Sequence, residues 1–341
     1  MSTLKSLALR PSRVWIAVLL TCGAVPGAIA DEGDASLGIT SAVQLPDAAH
    51  GKPPSWAGKA FRQGVVSVAN PYGAQAGARI LEQGGNAIDA AVAIAYALNV
   101  VEPQSAGIGG GGFMMIHLAK SGRTFAIDTR EKAPAGATPD MFVGVPNSSL
   151  QGVAVGVPGM VRGTAMAVAE YGALPLGQVL QPAIELADDG FAATPRYASA
   201  SCSSRARNSP EAEAYFCPGG VAPVVGALVQ NKPLAGTLRL IATHGPDCFY
   251  VMMPDKGCDI AKGVVEGQKF DRPQAANGTG GSMTFADLEA YRPSIRAPIE
   301  GTYRGYQIKA MSPPSSGGLT VIQMLKMLER FPIGDASQGF G

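Results

Sequence analysis

Arg130 stands at the polar end of the apolar run Thr124-Phe125-Ala126-Ile127-Asp128. A guanidinium at a strand end presents a rigid planar fork suited to a carboxylate. Upstream lies "SAGIGGGGFMMIH", residues 105–117, whose Gly107-Ile108-Gly109-Gly110-Gly111-Gly112 satisfies G-x-G-x-x-G, the spacing of a dinucleotide-binding turn. That chemistry requires a helix next. The sequence offers instead Phe113-Met114-Met115-Ile116-His117-Leu118, a short apolar run with a turn close behind it, which signals a strand. No Lys-Ser or Lys-Thr follows, so a phosphate-binding P-loop is excluded as well. The glycines therefore serve another purpose, through positive φ or a close backbone approach.

The elements around these residues suggest which purpose. Lys120-Ser121-Gly122 separates the runs 113–118 and 124–128, predicting a hairpin with a short glycine-containing loop. Antiparallel pairing brings the start of the first strand and the end of the second to one edge of the sheet. The glycine loop then lies beside Thr129-Arg130-Glu131, and the pair forms a small-anion seat. The competing reading is a merely tight loop, with Arg130 paired to a neighbouring acid, Glu131 or Asp128.

Before the hairpin, residues 64–69 read as a strand, and Asn70-Pro71 supplies an N-cap followed by proline at the first helical position. The helix that follows closes at Gly84-Gly85. Asn86, with Asp89 three residues on, caps a second helix whose alanine density implies close packing in the core. Beyond the hairpin, residues 152–156 read as a strand, 160–171, 176–188 and 236–244 as helices, and 278–281 as a surface turn. Residues 284–290 read as a short capped helix, 301–309 as two short strands, and 313–318 as a rigid turn before an amphipathic helix at 319–330.

Composition bounds the rest. With 341 residues, 46% of them hydrophobic, the chain can bury a substantial core. Lys5, Arg10 and Arg13 flank an apolar run from Val14 to Val25 that ends in Ala28-Ile29-Ala30, so residues 1–30 read as a secretory signal peptide. Thr21 stands where a lipobox before Cys22 needs a small residue. Three of the 27 basic residues fall in that segment and none of the 26 acidic ones, so its removal leaves a slightly negative chain with nothing to attract nucleic acid. No long apolar span follows residue 30. Residues 31–63 read as an N-terminal extension, and residues 64–341 as the folded unit.

Cys202, Cys217, Cys248 and Cys258 remain, and an exported chain meets oxidising conditions. Three pairings are possible, the local one closing two short loops. No C-x-x-C occurs, and His50, His117 and His244 show no ligand spacing, so no metal site and no cofactor is expected. His117, inside the apolar run, reads as a satisfied structural histidine.

Several blocks carry a resemblance that residue patterns alone do not supply. "GAQAGARILEQGGNAIDAAVAIAYALNVVEPQSAGIGGGGFMMIH", "IDTREKAP", "GVPGMVRG", "LQPAIELADDGF", "HGPDCFY" and "MSPPSSGGLTVIQML", in that order, are similar to the γ-glutamyltranspeptidases. The resemblance implies an N-terminal-nucleophile hydrolase, an α/β protein of the α-β-β-α sandwich type, made as a precursor that cleaves itself into a large and a small subunit. It implies γ-glutamyl transfer from glutathione and related donors to water, an amino acid or a peptide, through a γ-glutamyl-threonine ester. It also implies that Arg130, in Thr129-Arg130-Glu131-Lys132-Ala133-Pro134, binds the donor's α-carboxylate.

The family's nucleophilic threonine sits in a T-T-H-x-S type of block, which this sequence lacks. Thr243-His244 falls in a large-subunit block instead, and Ser315-Ser316 in a structural turn. The sequence therefore reads as a large subunit, incomplete at its C-terminus, with no catalytic residue of its own and the threonine expected beyond Gly341. A small subunit from the same precursor is the expected partner, in the periplasm or outside the cell. The alternatives are a β-lactam or glutaryl acylase of the same superfamily, or a non-catalytic truncated product.

Overall fold

A computed structural model of the chain describes residues 64–145, 147–203, 210–269 and 280–339. The expected signal peptide, the N-terminal extension and the first half of the turn at 278–281 lie outside the described residues.

Local capping sets the first two helices. In α1 (Pro71–Glu82) the Asn70 side chain accepts from the Tyr72 N–H at 3.0 Å, and proline occupies the first turn. Gly84, at φ +90°, turns the chain out of the helix. In α2 (Ala87–Val101) Asn86 accepts from the Ile88 and Asp89 amides, while Asp89 accepts from the Asn86 amide, completing a capping box. Every residue of α2 from Ile88 to Val101 is buried. Small residues make that possible: a Cβ on Gly77 of α1 would lie 2.6 Å from Ile94 of α2.

The hairpin forms as read. Strands β1 (Phe113–Leu118) and β2 (Arg123–Asp128) pair antiparallel, with Phe113 opposite Asp128 and His117 opposite Thr124. His117 Nδ1 lies 2.8 Å from the Thr124 hydroxyl, which accounts for a histidine in an apolar strand. Helices α3 (Met160–Tyr171) and α4 (Leu176–Asp188) pack with α2.

Short elements follow: β3 (Phe191–Ala192), α5 (Pro195–Ser201), α6 (Pro210–Phe216) and β4 (Leu228–Val229), with β3 and β4 paired. Then come α7 (Lys232–His244), α8 (Asp247–Tyr250), α9 (Ile260–Gly267) and α10 (Phe285–Ala290). Strand β5 (Ser294–Arg296) adds to the hairpin in the order β1-β2-β5. A second hairpin, β6 (Ile299–Tyr303) with β7 (Tyr306–Ala310), packs with α11 (Gly317–Leu328), the last α-helix among the described residues.

Two expected strands do not form. Residues 64–68 run without regular structure, because Val66 and Val68 pack on the helical core instead of entering a ladder. Residues 152–154 form a 3-10 turn: a Cβ on Gly152 would meet the Gln268 carbonyl oxygen at 1.6 Å, and one on Gly156 would meet Glu131 at 2.8 Å. These glycines serve close packing rather than a strand. Helix α7 also begins four residues earlier than its pattern suggests, because Asn231 caps it at the Leu234 amide with Pro233 in the first turn.

The cysteines take the local pairing, Cys202 with Cys217 and Cys248 with Cys258. Among the described residues no helix is long and apolar enough to cross a membrane, and no cluster of His, Cys, Asp and Glu is arranged to hold a metal.

Candidate functional site

Arg130 emerges two residues past the end of β2, beside the glycine loop that enters β1. The junction is closed by Thr129, whose amide donates to the Gly112 carbonyl at 2.9 Å and whose hydroxyl accepts from the Gly112 amide at 2.9 Å. Gly111 lies against the same turn, so that a Cβ there would be 2.0 Å from the Thr129 carbonyl oxygen and 2.9 Å from the Arg130 Cα. Close approach thus explains this glycine. Positive φ does not enter, since none of Gly107 to Gly112 adopts it.

The loop has a second task. The Gly110 carbonyl accepts from both the Gly159 and Met160 amides at 3.0 Å, satisfying the first donors of α3, which has no side-chain cap. Gly159 is as confined as Gly111: a Cβ on it would lie 2.0 Å from the Tyr291 hydroxyl and 2.1 Å from the Thr129 carbonyl oxygen. The loop, the start of α3 and the Thr129-Arg130 turn therefore pack as one unit.

The Arg130 side chain is 41% exposed, with Nε 3.0 Å from Glu131 Oε2 and the Phe113 ring 6.0 Å from the guanidinium carbon. The pairing with a neighbouring acid is therefore present, and Glu131 is the acid that makes it. Asp128, the other candidate, is occupied elsewhere: it accepts from the Arg130 amide at 2.9 Å and from Arg296 Nε at 2.6 Å. A half-exposed ion pair of this kind contributes about 1 kcal/mol or less. An incoming carboxylate can therefore compete for the fork at little cost, so the pair and the anion seat are compatible.

The remaining sequence candidates fall elsewhere. Thr243 and His244 end α7, which packs on α4 and α8. Ser315 and Ser316 form the turn into α11, the Ser316 carbonyl accepting from the Thr320 amide. A cleft of about 440 Å³ between α1 and α4 is lined by Tyr72, Arg79, Glu82, Glu185 and Asp189, and Arg130 is not part of it.

Sequence reasoning missed Tyr291. Its hydroxyl donates to the Arg130 carbonyl at 2.9 Å from 161 residues away, a relation with no local signal. Burial, then the nearby Asp128 and Glu131 charges, raises this phenol's pKa well above its usual value, so it remains a donor at neutral pH.

The mixed helix and sheet fold is that of the N-terminal-nucleophile hydrolases. It matches the crystal structure of Helicobacter pylori gamma-glutamyltranspeptidase with a TM-score of 0.73 and 38% identity, covering 83% of this chain and 79% of that one. The gamma-glutamyltranspeptidase family pattern matches residues 73–340, and the chain belongs to that family. It is 43% identical over 278 residues to the glutathione hydrolase proenzyme of Bacillus subtilis (strain 168), covering 79% of this chain and 45% of that protein. It is 41% identical over 294 residues to the acylase ACY 1 proenzyme of Pseudomonas sp. (strain SE83), covering 82% of this chain and 50% of that protein. The chain thus spans about half the length of the curated relatives it matches.

Proposed function

We propose that the protein carrying this chain hydrolyses glutathione and other γ-glutamyl compounds and transfers their γ-glutamyl group to amino acids or peptides, with Arg130 holding the donor's α-carboxylate. The observation that carries the reading is the state of Arg130. Its backbone is fixed by hydrogen bonds at both ends, while its side chain is partly exposed and, among the described residues, the one carboxylate paired with it is that of the adjacent, replaceable Glu131. Such a group contributes through orientation, setting the γ-carbonyl before a nucleophile.

That nucleophile, a threonine at the N-terminus of a small subunit cut from the same precursor, belongs to the proposal, as do the γ-glutamyl-threonine ester and export to the periplasm or medium. The 341-residue chain by itself is then inactive. The proenzyme names of the relatives support a two-part precursor. So does the apolar face that α11 leaves uncovered among the described residues, where Leu319, Val321, Met324 and Met327 are each about half exposed.

The test is Arg130→Lys in the proenzyme that contains this chain, assayed with a chromogenic γ-glutamyl anilide. Lysine keeps the charge and loses the fork, so donor KM is expected to rise about tenfold or more. Unchanged kinetics would overturn the assignment. The acylase relative favours a second reading, in which the carboxylate on Arg130 is that of a glutaryl or related acyl group. Turnover of the glutaryl anilide in preference to the γ-glutamyl anilide would select it.

A further inference from the structure

Arg130 lies beyond the last ladder pair of β2, so the sheet provides no partners for its peptide groups. Two side chains replace them. Asp128, nearly buried and held from β5 by Arg296, accepts from the Arg130 amide. Tyr291, only 2% exposed and placed where α10 ends, donates to the Arg130 carbonyl. The residue is therefore fixed between β2, β5 and α10, although its guanidinium meets solvent.

The Tyr291 hydroxyl has a path prepared for it. The ring stacks on Tyr250 with centroids 6.0 Å apart and planes 13° from parallel, and Lys132 Nζ lies 5.2 Å from its centroid. Gly159 leaves the space at the hydroxyl that any side chain would take. A phenylalanine would fill the same apolar volume and make the same stack. What tyrosine adds at this position is the hydrogen bond to Arg130.

We infer that Tyr291 is a positioning residue for Arg130: through the carbonyl of that residue it sets where the guanidinium fork meets the donor's α-carboxylate. The inference rests on the reading of Arg130 as the donor-carboxylate site. A bidentate fork is effective only within a narrow range of position, and a long, half-exposed side chain gains that precision from its anchored backbone.

The experiment compares the proenzyme with its Tyr291→Phe variant on two donors, a γ-glutamyl anilide and the matching γ-aminobutyryl anilide, which lacks the α-carboxylate. Loss of one hydrogen bond to the anchor is expected to raise KM for the γ-glutamyl donor about three- to tenfold, with kcat within about twofold. The two enzymes should be equal on the donor without the carboxylate. In an Arg130→Lys background the same substitution should change KM for the γ-glutamyl donor by less than about twofold, because the group it positions is already gone.

An unchanged KM, an equal loss on both donors, or full additivity with Arg130→Lys would overturn the role of Tyr291. The last two outcomes would mark it as a structural residue. Should Arg130→Lys itself leave the γ-glutamyl kinetics unchanged, the donor-site reading fails. If Arg130→Lys raises KM and Tyr291→Phe does not, only the positioning role fails.

Discussion

Gly111 approaches Thr129 so closely that a β-carbon on the glycine would sit 2.0 Å from the threonine's carbonyl oxygen. Backbone cannot yield to a methyl group as the end of a flexible side chain can, so Gly111→Ala must displace either the loop or the turn that carries Arg130. Overpacking of this kind costs about 1–3 kcal/mol. A lowered melting temperature is expected, together with a raised donor KM in the proenzyme. Gly109→Ala is the control, since nothing lies within 4 Å of the position its Cβ would take. Equal behaviour of the two variants would show that the glycine run does not position Arg130.

The Cys248–Cys258 disulfide should matter beyond its own loop. Cys248 lies in α8 with Tyr250, whose hydroxyl donates to the Pro158 carbonyl at 2.9 Å and accepts from the Arg162 amide at 3.2 Å. The bridge thus fastens the element that braces the entry to α3, next to Gly159. Closing a loop of this size contributes about 3 kcal/mol or less. Cys248→Ser with Cys258→Ser should lower the melting temperature, and added reductant should then shift the variant less than the parent. Equal melting temperatures for the parent and the double variant would show that the bridge adds no stability.

Legibility in the sequence followed the distance over which the determinants act. Asn70 with Pro71, Asn86 with Asp89, and Thr284 with Asp287 place helix starts by contacts within three residues, and each start appears where it was read. The hairpin was equally local. Residues 64–68 were not, because alternating valines can satisfy burial against helices as well as in a strand. Gly152 and Gly156 looked like strand positions only until Gln268 and Glu131 arrived beside them from elsewhere in the fold. At the site, the proposal that Arg130 binds a carboxylate rests on family resemblance, whereas the Tyr291 bond needed the tertiary structure. Its neighbour Asp128 was visible as an acid, but not as the acceptor for an amide two residues on.

Arg79 of α1 and Glu185 of α4 form an ion pair that includes a 3.0 Å bond from Nη2 to Oε1. The bond from Arg79 is the main cause of a Glu185 pKa below its usual 4.5. A carboxylate depressed in the folded state stabilises the protein above its unfolded pKa, and that contribution disappears as pH falls through the folded value. Both side chains are partly exposed, so screening limits the effect to about 1 kcal/mol or less. Glu185→Gln should therefore melt slightly earlier than the parent at pH 7, with the gap narrowing below pH 4.5. A gap that is constant down to pH 3 would assign the difference to packing.

The uncovered surfaces yield a prediction about the chain on its own. Strand β1 forms one edge of its three-stranded sheet, and its sequence Phe-Met-Met-Ile-His-Leu carries no acidic or lysine gatekeeper. On α11, Leu319, Val321, Met324 and Met327 form a largely apolar, half-exposed set, and no residue of that helix is buried. An edge and a helix face of this kind require a covering partner or they associate. Expressed without a partner, the 341-residue chain should elute as a high-mass, polydisperse species by size exclusion with light scattering, and should not turn over a γ-glutamyl anilide. Placing lysine at Val321 and Met324 should shift it toward smaller species without lowering the melting temperature, since neither side chain contributes to the core. A monodisperse monomer from the unmodified chain would show that these faces need no partner, and measurable turnover would remove the requirement for a separate nucleophile.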